Sequence, residues 1–232
     1  MSAERTFDDR RDAGRRLAEL LLRSRPAGDI VVLGLPRGGV PVAWEIACAL
    51  DATLDVFLVR KLGTPGHPEL AMGAIASGST RVINEDVVNA LDIVPEQIEA
   101  VARREQSELE RRDAVYRQGR VLTPLTNRTV ILVDDGLATG STMKAAVQAV
   151  RQHAPARVLV AVPVGAPETC RALREIADEV ICTETPSSFS AVGQWYRDVV
   201  GRNELGDTER DARGYRGRPG LADAAPPVDD ED

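Results

Sequence analysis

The chain has 232 residues, 43% of them hydrophobic and only 3% aromatic, with a formal net charge of −7. That length suits one α/β domain with additions, or two small domains, and the apolar share suffices for a core of Val, Leu, Ile and Ala. The acidic balance argues against broad attraction to nucleic acid, although Asp207 to Asp232 alone carries eight acidic against four basic residues, so the rest is nearly balanced and leaves room for a local basic pocket.

Three cysteines, Cys48, Cys170 and Cys182, are odd in number, far apart and outside any CxxC. They read as small apolar residues of a reducing compartment rather than as disulfide or zinc ligands. Met1 to Arg16 is charged and has no apolar signal core, and no run of about 18 apolar residues occurs anywhere. A cytoplasmic location is expected, with no membrane partner.

Phe7 to Arg23 alternates acids and arginines with Leu17, Leu20 and Leu21 at helical spacing, which predicts an amphipathic helix. Asp29 to Leu33 is a short aliphatic strand, broken at Gly34-Leu35-Pro36-Arg37-Gly38-Gly39 before a helix from Val40 to Leu50. Thr53 to Val59 reads as a second strand that ends in Arg60-Lys61. The stretch that follows, dense in Gly and Pro from Gly63 to Pro68, reads as an exposed, mobile loop, with Leu62 to Glu69, His67 included, a candidate lid over the ligand. Ala71 to Ala76 and Thr80 to Ile83 form a hairpin around Ser77-Gly78-Ser79. Pro95 to about Gln118 is a long Glu/Arg helix whose Arg103, Arg104, Arg111 and Arg112 are offset by neighbouring acids, a solvated or dimer-contacting face rather than a nucleic-acid surface.

Thr129 to Val133 is the third major strand. Ser141 to His153 is a helix, Arg157 to Val162 a strand, Pro167 to Ile176 a helix and Glu179 to Cys182 a last strand. Alternation of strand and helix predicts a mostly parallel sheet flanked by helices. From Asp207 the pattern gives way to Gly, Pro, Arg and Asp, as expected for a disordered acidic tail.

The strongest chemical signal is Val130 to Thr142, VILVDDGLATGST. Aliphatic residues lead into Asp134 and Asp135, then a small-residue loop, then Ser141-Thr142 opening a helix. In an open parallel sheet the strand carboxyl ends face the ligand crevice, and backbone N–H groups of such a loop can wrap a phosphate. A Walker A loop is excluded, because Gly140 is followed by Ser141 and Thr142 with Lys144 too late. No GxGxxG occurs here or at Gly34 to Gly39. The plain alternative is an Asp-Asp turn followed by a Ser/Thr helix cap.

VILVDDGLATGST resembles the signature of type I phosphoribosyltransferases for 5-phosphoribosyl-1-pyrophosphate (PRPP), close to its adenine phosphoribosyltransferase version and to bacterial members of unsettled substrate. The resemblance takes in Gly34 to Gly39 and Val59-Arg60-Lys61 and covers roughly Asp29 to Thr185. It implies the type I fold with a small hood, a phosphoribosyltransferase domain over residues 1–206 (core about 29–185, C-terminal aromatic segment 186–200) and a homodimer. It implies catalytic roles for Asp134, Asp135, Arg37 and Lys61, the two carboxylates holding the ribose hydroxyls. Ala138, Thr139, Gly140, Ser141 and Thr142 would cradle the 5′-phosphate, and Arg37, Gly38, Gly39, Arg60 and Lys61 would bind pyrophosphate, with a cis Pro36–Arg37 bond. Mg²⁺ would be held mainly by PRPP, near Asp134 and Asp135. Ala138 stands where oxopurine members carry an acid, which disfavours hypoxanthine and guanine. Phe189 and Trp195, in the one aromatic cluster, are placed over the acceptor base, the alternative being a terminal helix packed on the body. The activity implied is transfer of phosphoribosyl to a nitrogen heterocycle, in nucleotide metabolism. The rival is a non-catalytic regulator that senses PRPP and binds nucleic acid.

Overall fold

The computed structural model of the protein describes residues 7–24 and 26–198. The acidic tail read from Asp207 onward, and with it the domain boundary at 206, lies outside them. In chain order the elements are α1 (Arg10–Ser24), β1 (Ile30–Gly34), α2 (Gly39–Leu50), β2 (Thr53–Val56), β3 (Val59–Thr64), β4 (His67–Ala76), β5 (Thr80–Ile83), α3 (Glu85–Ala90), α4 (Pro95–Arg117), β6 (Thr129–Val133), α5 (Ser141–Arg151), β7 (Arg157–Val164), α6 (Pro167–Leu173) and β8 (Glu179–Glu184), with a 3-10 turn at Val192–Trp195.

Five strands form an all-parallel sheet in the order β2-β1-β6-β7-β8. Its centre is buried on both faces, so TVILV of β6 shows no apolar/polar alternation. Alternate side chains still go to different partners. Ile131 and Val133 join Leu17, Leu21, Val42 and Ile46 under α1 and α2. Val130 and Leu132 join Met143, Val147 and Val150 under α5. Each such side chain contributes about 1.5–3 kcal/mol on full burial.

The second unit is the antiparallel sheet β3-β4-β5. Here the sequence expectation needs two corrections. Thr53 to Val59 is not one strand. β2 ends at Val56, the Phe57 amide still bonds to the Gly34 carbonyl, and the chain then crosses to the other sheet, where Ser77 accepts from the Leu58 amide and donates to its carbonyl. Arg60 and Lys61 therefore lie inside β3, not at a strand end. Nor is 62–69 an open lid loop. Leu62 to Thr64 belongs to β3 and His67 starts β4, with a tight turn at Pro65-Gly66, where Gly66 has φ +80°. The Gly/Pro density marks that turn and a register shift around Gly63.

One face of this hairpin sheet is covered by α4. Ile98, Ala102 and Leu109 meet Leu58, Leu62, Met72 and Ile75. Ion pairs fasten α4 to this sheet through Arg60 and to β2 of the parallel sheet through Arg117. Arg117, only 3% exposed, bonds Asp55 at 2.9 Å and Asp113 at 2.7 Å and donates to the Val56 carbonyl. Arg60 bonds Glu105 at 3.0 Å. The sequence pattern marks α4 but neither its buried Glu105 and Arg117 nor the short helix α3.

Candidate functional site

β1 and β6 are neighbours, yet β1 passes through α2 to β2 on one side and β6 through α5 to β7 on the other. The crevice above their carboxyl ends is thus the topological switch point, where open α/β sheets place ligands. Both glycine-bearing loops leave from it.

The loop after β1 lies directly on the end of β6. The Leu35 amide bonds to the Val133 carbonyl at 2.8 Å. A Cβ on Gly39 would collide with that same carbonyl oxygen, and one on Gly38 with the Asp135 carboxylate. Only glycine lets the two segments approach this closely. The Pro36–Arg37 peptide between them is cis.

After β6, Asp134 and Asp135 occupy the crevice floor. Burial, and then the neighbouring Asp135 carboxylate, raises the Asp134 pKa well above the ordinary carboxylate value. Asp135 is paired from outside its own segment: Arg10 at the start of α1 places Nε 2.8 Å and a terminal nitrogen 2.7 Å from Oδ2.

Gly140 takes a left-handed φ of +67° and leads into α5. Thr169 of α6 fixes this loop from behind, donating to the Ala138 carbonyl at 2.6 Å. The hydroxyls of Thr139 and Ser141 lie 3.3 Å apart at the helix N-terminus, where backbone N–H groups and the helix dipole favour an anion. Lys61 reaches the Ser141 hydroxyl at 3.5 Å.

Successive residues of a strand point to opposite faces, which separates Arg60 from Lys61. Lys61 goes to the loop before α5, whereas Arg60 goes to α4 and lines a small cleft with Leu35, Pro36, Thr142 and Arg112. Tyr116 of α4 has its phenol pKa raised by burial, with the charges of Arg37 and Arg112 opposing. Arg112, assigned from the sequence to a solvated or dimer-contacting face, thus joins the crevice wall.

The aromatic segment folds back beside Asp135. Val192 packs against Gly136, leaving no space for a Cβ there. Phe189, Val192 and Trp195 surround a buried cluster of Phe7, Ala13, Val164 and Tyr196. Tyr196 donates to the Asp135 carbonyl at 2.6 Å. The indole N–H of Trp195 is buried and has no hydrogen-bond partner among the described residues. His67 sits at the exposed hairpin tip, away from these groups in the pairing scheme.

Both loops and the carboxylates are marked in the sequence, whereas Arg10, Arg112, Tyr116 and Tyr196 come beside them only through the fold. Tyr196 lay inside the aromatic cluster already singled out. Nothing local marks the others.

Comparison with known proteins gives a consistent picture. The model of the phosphoribosyl transferase domain matches residues 7–198. A Mycobacterium tuberculosis H37Rv protein provisionally named a phosphoribosyl transferase is 46% identical over 231 residues, covering 97% of this chain and 52% of its own length, and its counterpart in strain CDC 1551 matches equally. The chain therefore spans about half the length of the curated relatives it matches. The crystal structure of TT1426 from Thermus thermophilus superposes with a TM-score of 0.75 at 44% identity, covering 82% of this chain and 89% of that one. The switch-point crevice and the domain match together lead to one conclusion: the chain belongs to the phosphoribosyl transferase family, with the type I α/β fold.

Proposed function

We propose that this domain transfers the 5-phosphoribosyl group of PRPP to a nitrogen heterocycle, releasing pyrophosphate. The observation that carries this reading is the meeting of two close-packed glycine loops and an acidic pair at a single switch point. One loop, at a helix N-terminus, suits a terminal phosphate. The other lies alongside arginines and suits a second, more highly charged group. The carboxylates between them suit the hydroxyls of a sugar.

In this reading Ala138, Thr139, Gly140, Ser141 and Thr142 take the 5′-phosphate, with Lys61 close enough to Ser141 to add its charge. Arg37, Gly38 and Gly39 take the pyrophosphate, with Arg60 beside them. Asp134 and Asp135 accept hydrogen bonds from the ribose hydroxyls. The bond from the anomeric carbon to pyrophosphate breaks as the bond to the acceptor nitrogen forms. Positive charge develops on the ribose and negative charge on the leaving group. The carboxylates lie next to the first and the arginines next to the second, so catalysis is mostly positioning and electrostatics.

Among the described residues no group of three or more His, Cys, Asp or Glu side chains forms a metal cage. Mg²⁺ habitually uses one or two carboxylates together with substrate phosphates, and the crevice offers the pair Asp134 and Asp135. Asp134 and Asp135 would be its protein-side neighbours, and when bound it would offset charge on the pyrophosphate. Phe189 and Trp195 would cover the acceptor. The regulator reading finds no support in α4, whose Arg104, Arg111 and Arg112 are paired with Glu105 and Glu108.

Calorimetric titration of PRPP with Mg²⁺, followed by pyrophosphate release with a panel of heterocycles, tests the proposal. The Asp134→Asn, Asp135→Asn double variant should bind PRPP at least roughly 100-fold more weakly, since each charge-assisted hydrogen bond contributes about 1.5–3 kcal/mol. A folded wild-type protein that ignores PRPP sinks the proposal.

A further inference from the structure

We propose that Arg10 and Tyr196 are positioning residues for Asp135, so that the first and last described segments of the fold together preset the carboxylate that meets the ribose. This rests on the PRPP reading above and adds residues that the motif does not contain.

Within its own loop, the Asp135 amide donates to Asp134 Oδ1 at 2.8 Å. The longer-range hold on Asp135 comes from elsewhere in the chain. Arg10, 125 residues away, bonds Oδ2 through two nitrogens. Tyr196, 61 residues away on the other side, bonds the backbone carbonyl. The two holders are also joined to each other, the Arg10 guanidinium lying 5.3 Å from the centre of the Tyr196 ring.

Behind them the two ends of the described chain are laced together. The Phe7 amide bonds the Trp195 carbonyl at 3.0 Å, the Arg197 amide the Phe7 carbonyl at 2.9 Å, and the Asp198 amide the Asp8 carbonyl at 3.0 Å. Phe7 and Tyr196 are fully buried, with ring centroids 5.6 Å apart. Arg10 therefore starts its helix from a fixed point, and its reach to Asp135 is set by packing.

Both Arg10 bonds go to Oδ2. Asp135 is seated against Gly38, where a Cβ would not fit. A carboxylate held in this way loses little freedom when the sugar arrives, which is how preorganisation raises affinity. Coupling between sites is reciprocal, so a ligand on Asp135 must in turn tighten the laced ends.

The experiment is PRPP–Mg²⁺ calorimetry on the full chain with Arg10→Gln, Arg10→Lys, Tyr196→Phe, Asp135→Asn and the Arg10→Gln, Asp135→Asn pair, each checked for cooperative melting. Arg10→Gln should weaken binding about tenfold, the scale of one charge-assisted bond, with Arg10→Lys restoring part of it. In the Asp135→Asn background the same Arg10→Gln change should have less than about a twofold effect, because both members of a coupled pair are then gone. Tyr196→Phe keeps the ring and loses only the hydroxyl; it should weaken binding about three- to tenfold. PRPP should also slow amide exchange at Phe7, Arg197 and Asp198 in wild type. An Arg10→Gln loss that persists undiminished without Asp135, or wild-type affinity in Arg10→Gln, overturns the inference while leaving the PRPP reading intact. Absence of PRPP binding by the wild type overturns both.

Discussion

The parallel sheet and the hairpin sheet of this protein are stabilised by different chemistry. Around β1, β6 and β7 the contacts are almost wholly aliphatic, in two clusters separated by the sheet. Around β3, β4 and β5 the apolar cluster is smaller, and α4 is held by ion pairs as well: Arg60 of β3 bonds Glu105, and Arg117 at the helix end bonds Asp55 of β2 at the edge of the parallel sheet. Dry aliphatic packing has no charge to titrate, whereas a buried ion pair depends on both partners keeping their charge. The crevice floor therefore rests on the inert region, and its Arg60–Arg112 wall on the charge-dependent one.

The largest expected effect comes from breaking that charge. Arg117→Ala leaves Asp55 buried without its guanidinium and should cost about 3–5 kcal/mol in chemical denaturation. Hydrogen exchange should rise first at the C-terminal end of α4 and in β2, which Arg117 joins, and uniform loss across both sheets would erase the distinction.

The site itself supplies the next effect, of opposite sign. Asp134 holds its proton more tightly folded than unfolded, so it destabilises the fold above pH 3.8, and increasingly until its raised folded pKa is passed. Asp134→Asn should stabilise the unliganded protein on the order of 1 kcal/mol at neutral pH, a stability–function trade-off. Melting curves at about pH 3.5 and 7.5 check the sign, since the gain must grow with pH.

Within the aliphatic region, Ile131→Val should cost about 0.5–1.5 kcal/mol. The loss should appear as a global shift of the denaturation midpoint, with no preferential opening of either sheet.

Glu108 marks the lower limit. Hydrogen bonds from Arg111 and then Arg112 lower its pKa to about 2, so any stabilisation exists above pH 4.5 and fades as pH falls toward 2. The side chain lies at the surface, 30% exposed, and water and salt screen it. Glu108→Gln should leave the melting temperature unchanged at about 0.15 M salt, which calorimetry can verify.

How much of this was legible beforehand differs by region. β6 and its helix α5 were readable because a doubly buried strand is a continuous aliphatic run and Gly140 punctuates the entry to the helix. The change of sheet between β2 and β3 was not. Val56-Phe57-Leu58-Val59 is apolar throughout, with no Gly or Pro at the crossing, so nothing local records that its partners switch from Gly34 to Ser77. In the hairpin, turn residues were over-read: Pro65-Gly66 is a turn, but its flanks are strand.

By itself the sequence determined the alternating α/β order, the aliphatic strands, the two glycine loops and the acidic pair between them, because periodicity and backbone permissiveness act over a few residues. Tertiary structure alone decided that Arg60 and Lys61 part company, that Arg112 faces the crevice, and that Arg10 and Tyr196 converge on Asp135. Those partners are separated by dozens of residues, and their meeting is set by how packed elements bring distant side chains together, which no local pattern encodes.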